Sequence, residues 1–160
     1  MEFKSDAHKK VYEKVRDFLY TLFGEVNVQE MNESFLLQEG STFVYIRSFP
    51  IGESKAGVEV FAYVAVDLDA TEEMMRYLLT YNLRLILGGF GLSINENGKA
   101  AVLLTHTILG DSMDREELYG SVTAITRVAD DLDDQIVARF GGSTALGKLT
   151  AFHSPPEYGE

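Results

Sequence analysis

Apolar residues recur along this chain with two periods, and the change from one to the other marks out its elements. Ala7, Val11, Val15, Phe18 and Leu22 follow one another at steps of four, four, three and four, which sets them on one stripe of a helix. Ser5 or Asp6 can cap the start of this helix, which runs to about Phe23, with Gly24 as its stop. From Val26 to Asp67 the period falls to two, and Ser34–Glu39, Thr42–Phe49 and Val58–Val66 read as three strands. Glu39-Gly40-Ser41 makes a tight turn, and Pro50 to Gly57 a looser connection. Connections this short predict an antiparallel meander, because parallel pairing needs a long crossover.

Asp67-Leu68-Asp69-Ala70-Thr71-Glu72-Glu73 combines capping oxygens with acids in a first turn, a helix-start signal. The second helix is predicted to run to about Leu87 and to stop at Gly88-Gly89. Phe90 to Asn95 and Ala100 to Leu109 form a hairpin around Glu96-Asn97-Gly98, since Asn-Gly tolerates the positive φ of a tight turn. Asp114 caps a third helix with Leu118, Val122, Ile125, Ala129, Leu132, Ile136 and Phe140 on one stripe and Glu116, Arg127, Asp131 and Asp134 opposite. Each large residue of that stripe contributes roughly 1.5–3 kcal/mol on full burial. The order is α-β-β-β-α-β-β-α, in blocks, which predicts an α+β fold with an antiparallel sheet and three helices. Residues 1–142 are expected to form this domain, and 143–160, with Pro155-Pro156, to be a weakly ordered tail.

Composition narrows the function classes. A chain of 160 residues, 46% of them hydrophobic, suits one domain with a proper core. It has no cysteine, which excludes disulfides and thiolate metal sites and points to a reducing compartment, hence to the cytoplasm. No apolar leader opens the sequence and no run is long enough to cross a bilayer. A net charge of −11 repels phosphate, which disfavours nucleic acid and anionic membranes as partners.

Candidate chemistry is sparse. His8, His106 and His153 lie at no metal-ligand spacing, so a structural or solvent role is expected for each. Gly88-Gly89-Phe90-Gly91 follows a helix and precedes a strand, the reverse of a phosphate-binding loop. An EF-hand register started at Asp67 meets Glu72 where glycine is required and Leu78 where glutamate is. Asp130, Asp131, Asp133 and Asp134 point in different directions from one helix and read as a solvated face. No catalytic residues, metal site or cofactor are expected, and a hydrolase would lack a nameable nucleophile–base pair.

Two apolar features point to binding instead. On the second helix Met74, Tyr77, Leu78, Tyr81 and Leu85 make one face, and Met75, Leu79, Leu83 and Ile86 make a second. A helix apolar on two sides has to be covered on both, and a second copy of the chain is expected on the second face in preference to a loop or the tail. In the strands Phe43, Tyr45, Phe61 and Tyr63 alternate with aliphatic residues. If the aliphatic set meets the helices, the aromatic set forms an outer face suited to a protein or peptide partner. A sheet covered on both sides, or reversed faces, are the alternatives.

Asn82-Leu83-Arg84-Leu85 through Phe90-Gly91-Leu92-Ser93-Ile94, then Asn97-Gly98 and an apolar strand, lead into the Asp114 helix and close on Ala138-Arg139-Phe140-Gly141-Gly142. This text and the element order resemble the type III secretion chaperone-like superfamily, which includes the CesT-like chaperones and the YbjN-like bacterial family. The likeness covers roughly residues 5–142. It implies an α-β-β-β-α-β-β-α domain, frequently dimeric, that binds extended or partly unfolded protein segments. The reading is therefore a non-enzymatic binding module acting as a homodimer. The alternative is a regulatory or sensory domain holding a small ligand among Phe43, Tyr45, Phe61 and Tyr63.

Overall fold

The chain is described by a computed structural model, which covers residues 3–40 and 42–145. Helix α1 spans Asp6–Phe23, and strands β1 (Val28–Met31), β2 (Ser34–Glu39), β3 (Thr42–Ile51) and β4 (Lys55–Asp69) follow. Helix α2 (Glu72–Asn82), the hairpin β5 (Gly89–Ile94) and β6 (Lys99–Leu109), helix α3 (Arg115–Phe140) and the short β7 (Ser143–Thr144) complete it. The strands lie in the order β1-β2-β3-β4-β6-β5, with β7 on β4, and every pairing is antiparallel. The α+β architecture and the predicted order of elements hold. Two short strands, Val28–Met31 and Ser143–Thr144, join the sheet that the periodicity outlined.

Local chemistry explains most boundaries. The Ser5 hydroxyl accepts from His8 N (3.1 Å) and Asp114 Oδ1 from Glu117 N (2.8 Å), so these two caps act where the sequence placed them. Helix α2 is capped by Thr71, whose Oγ1 accepts from Met74 N at 3.2 Å, while the acids before it stay in β4. β4 is longer than expected because β3 and β4 stay paired out to Ile51 and Lys55, across a turn with Gly52 at φ 60°.

All three helices cover one face of the sheet. Val44, Ile46, Val60, Ala62 and Val64 meet α1, α2 and α3 there in one buried core. In α1 the buried stripe is His8, Val11, Tyr12, Val15 and Leu19, and Ala7, Phe18 and Leu22 are half-buried at its margins. The stripe turns by about one residue because two polar-ended side chains find partners inside. His8 Nε2 lies 3.2 Å from Ser48 O and 3.1 Å from Ser48 Oγ, and the Tyr12 hydroxyl donates to Glu30.

Helix α2 ends earlier than its sequence suggests. It stops at Asn82, whose Oδ1 accepts from Phe90 N at 2.7 Å, fastening the helix end to the start of β5. The next three N–H groups bond back three residues, Leu83 to Thr80 O, Arg84 to Tyr81 O and Leu85 to Asn82 O, which tightens and closes the turn. Leu83 and Ile86 therefore sit on the connection to β5 and not on a continuous helical face.

Candidate protein-binding surfaces

The first surface runs along α2 and the connection behind it. Met74 and Leu78 point into the core at 0% and 3% exposure. Met75, Leu79, Leu83 and Ile86 are 36%, 68%, 88% and 96% exposed, so the strip singled out in the sequence stands in water along its whole length. An open groove of about 440 Å³ lies along it between Met75, Leu79 and Leu83, bordered by Glu72 and Arg76, which form an i,i+4 ion pair at 2.6 Å. A second groove of about 300 Å³ separates Ile86 and Leu87 from Val128 and Leu132 of α3.

The helix beneath this strip is held firmly. Tyr77 meets Tyr81 and Phe140 at ring-centroid distances of 5.8 and 5.4 Å, and Tyr81 meets Phe90 at 5.9 Å. Arg139 pairs with Glu73 at 3.0 Å and lies 4.8 Å over the Tyr77 ring, tying the end of α3 to α2. The strip is thus apolar surface on a fixed support.

The second surface is the sheet face away from the helices. The alternation placed the two residue sets on the correct faces: Phe61 and Tyr63 share an outer cluster with Val66, Ala101 and Leu103, against which Tyr45 packs. The structure brings three of the four aromatic residues together. Tyr45 stacks on Phe61 at 5.1 Å and 11°, and Tyr63 meets both edge-on at 5.9 and 6.1 Å. Phe43 is half-buried, two residues before Tyr45 on β3. The expectation that this face is open needs correcting, because Phe61 and Tyr63 are only 2% and 9% exposed. Burial pushes the Tyr45 and Tyr63 phenols above their ordinary value, as the loss of water around a group that must become charged requires. The rings of Tyr45, Phe61 and Tyr63 pack against one another, and none of the four aromatic residues lines either of the two grooves described above.

One constellation on this face escaped the sequence reading. Arg47 pairs with Glu59 at 2.7 Å, the Thr105 hydroxyl donates to Glu59 at 2.9 Å, and Arg47 lies 6.0 Å over the Phe61 ring. Both charged side chains are largely buried, at 14% and 4% exposure. The signal was present: Arg47 continues the parity of Phe43 and Tyr45, and Glu59 that of Phe61 and Tyr63, so a register would have set them opposite each other.

Comparison with known proteins agrees with this architecture. Residues 9–148 match the family described as T3SS (YopN, CesT) and YbjN peptide-binding chaperone 1. The chain belongs to this family of peptide-binding chaperones. Several solved structures are similar to it, three of them as follows. An uncharacterized protein from Methanothermobacter thermautotrophicus superposes with a TM-score of 0.56 at 16% identity, over 82% of this chain and 99% of that one. YbjN from E. coli does so at 0.57 and 12%, over 80% and 93%. A chain of the ExsC–ExsE complex does so at 0.56 and 18%, over 78% and 95%. At these identities the likeness shows a shared fold. Comparison with curated proteins gives no match. No helix among the described residues is long and apolar enough to cross a membrane.

Proposed function

We propose that this chain is a non-enzymatic, chaperone-like module that binds extended protein segments and works as a homodimer. The observation that carries the dimer is the exposed strip of Met75, Leu79, Leu83 and Ile86 on a rigidly held helix and turn. Burying a side chain of this kind is worth roughly 1.5–3 kcal/mol, so four of them on each copy supply a strong drive to association. A second copy fits best, because a two-fold contact pairs the same strip with itself and leaves no open apolar edge. The partner segment is assigned to the outer sheet side, at the half-buried Phe43 and Tyr45 beside the enclosed Phe61 and Tyr63. Family membership supports peptide binding, and the net charge of −11 suits segments that carry basic residues.

Two measurements test this. Leu79→Asp places a charge at the centre of the seam and should halve the mass read by light scattering, and an unchanged mass rejects the seam. Displayed random peptides selected on the full chain should lose about tenfold or more in affinity for Tyr45→Asp. Equal affinity rejects the sheet side as the partner site.

A further inference from the structure

One place on this acidic molecule has the opposite sign. With 25 acidic side chains to 14 basic ones, an arginine of this chain should readily find a carboxylate. Arg16, Arg47, Arg76 and Arg139 each form an ion pair. Arg84, Arg115 and Arg127 form none among the described residues. Two of those three, Arg84 and Arg127, line one groove.

It is the groove of about 300 Å³ between the α2–β5 connection and α3. Its shape follows from the early stop of α2 at Asn82. The tight turns at Leu83, Arg84 and Leu85 take the chain out of the helix, and Leu85, Ile86 and Leu87 then form one wall. Ala124, Val128 and Leu132, at steps of four on α3, form the other. Ile86 and Leu87 are 96% and 37% exposed, so the rim stands in water and a passing chain can enter. Aliphatic walls on both sides suit an aliphatic side chain.

The charges narrow the occupant further. Arg84 lies 5.7 Å over the ring of Tyr81, itself a lining residue, which limits where its guanidinium can go. Asp131 also lines the groove and pairs with neither arginine. Two positive charges less one negative leave the lining at +1, against −11 for the whole chain. One carboxylate balances that charge, whereas a phosphate brings about two negative charges and exceeds it. The planar fork of arginine also meets a carboxylate with two hydrogen bonds at once.

We propose that this groove binds an acidic–apolar segment of a partner protein. An aliphatic side chain enters between Leu87 and Val128, and a neighbouring Asp or Glu carboxylate is held by Arg84 and Arg127. This is a site apart from the sheet side assigned to basic segments, and it does not rest on that assignment. It shares Ile86 with the strip assigned to a second copy, so the test separates the two.

Three labelled peptides built on one glycine–serine frame provide the probes, carrying Leu-Asp-Leu, Leu-Asn-Leu or Leu-Lys-Leu, with fluorescence anisotropy read on the full chain. The aspartate probe should bind about tenfold or more tighter than the other two. About 0.5 M salt should erase most of that preference, because the arginines are exposed. Arg84→Gln with Arg127→Gln should abolish the preference and leave the affinity for the asparagine probe unchanged. Asp131→Asn should tighten the aspartate probe about threefold, a gain that a misfolded variant would not give. Equal affinity for the aspartate and asparagine probes, tighter binding of the lysine probe, or no measurable binding of any probe overturns the proposal. A preference indifferent to both arginines does the same. A preference that emerges only in Leu79→Asp, where the seam is broken, assigns the groove to the second copy and overturns it too. Leu79→Asp with unchanged mass and unchanged preference rejects the seam and leaves the groove standing.

Discussion

Phe61 and Leu79 are both large apolar residues, yet the first is 2% exposed and the second 68%. Phe61 sits at mid-sheet between Tyr45 and Tyr63, with Arg47 over its ring, so its neighbours along and across strands enclose it. Leu79 sits on the side of α2 opposite the buried Met74 and Leu78, and no element among the described residues covers it. Apolar character is therefore a poor guide to burial within one small domain. What counts is whether the layer the residue faces exists within the chain.

Substitutions should break this contrast in a graded way. Phe61→Ala should cost most, about 3–5 kcal/mol in urea unfolding, because it opens a cavity among packed rings. Glu59→Ala removes the carboxylate that Arg47 pairs with at 2.7 Å, and should cost about 3 kcal/mol. Replacing Arg47 and Glu59 together by methionine should recover most of that loss, which a double-mutant cycle would read.

Alkaline unfolding probes the core between α1 and the sheet. Tyr12 is raised above its ordinary value of 10.0, first by burial and then by its hydrogen bond to Glu30. Above that ordinary value the unfolded chain has lost a proton that the folded chain keeps, so stability should be full below about pH 10 and fall as pH rises beyond it. Tyr12→Phe should flatten this slope in pH-dependent urea titrations. Thr71→Ala, which removes the α2 cap, should cost about 1 kcal/mol. Leu79→Ala should be the mildest, within about 0.5 kcal/mol at concentrations where the chain is monomeric. A large loss there would mean that the strip is covered by its own chain and would erase the contrast.

Much of the fold was legible because its signals are local. Ser5 and Asp114 reach donors three residues ahead, and Asn97-Gly98 turns within its own hairpin, with Asn95 Oδ1 accepting from Asn97 N and Lys99 N at 3.0 Å each. The strip at Met75, Leu79, Leu83 and Ile86 was legible as surplus apolar surface. Its shape was not, because α2 is stopped by a bond between Asn82 and Phe90, a residue of another element. The Leu83–Leu87 stretch keeps an apolar pattern and gives no sign of that stop. Val28–Met31 was missed as a strand because four residues carry too little alternation, and only its pairing with β2 reveals it.

The order of helices and strands, their caps and turns, and the two faces of the central strands were determined by the sequence itself. Those features depend on residues a few positions apart, whose hydrogen bonds and periodicities any short window contains. Where α2 ends, which aromatic rings are enclosed and which leucines stay in water were decided only by the tertiary structure. Each of these depends on a neighbour brought in from a distant part of the chain, and no local pattern records whether that neighbour arrives.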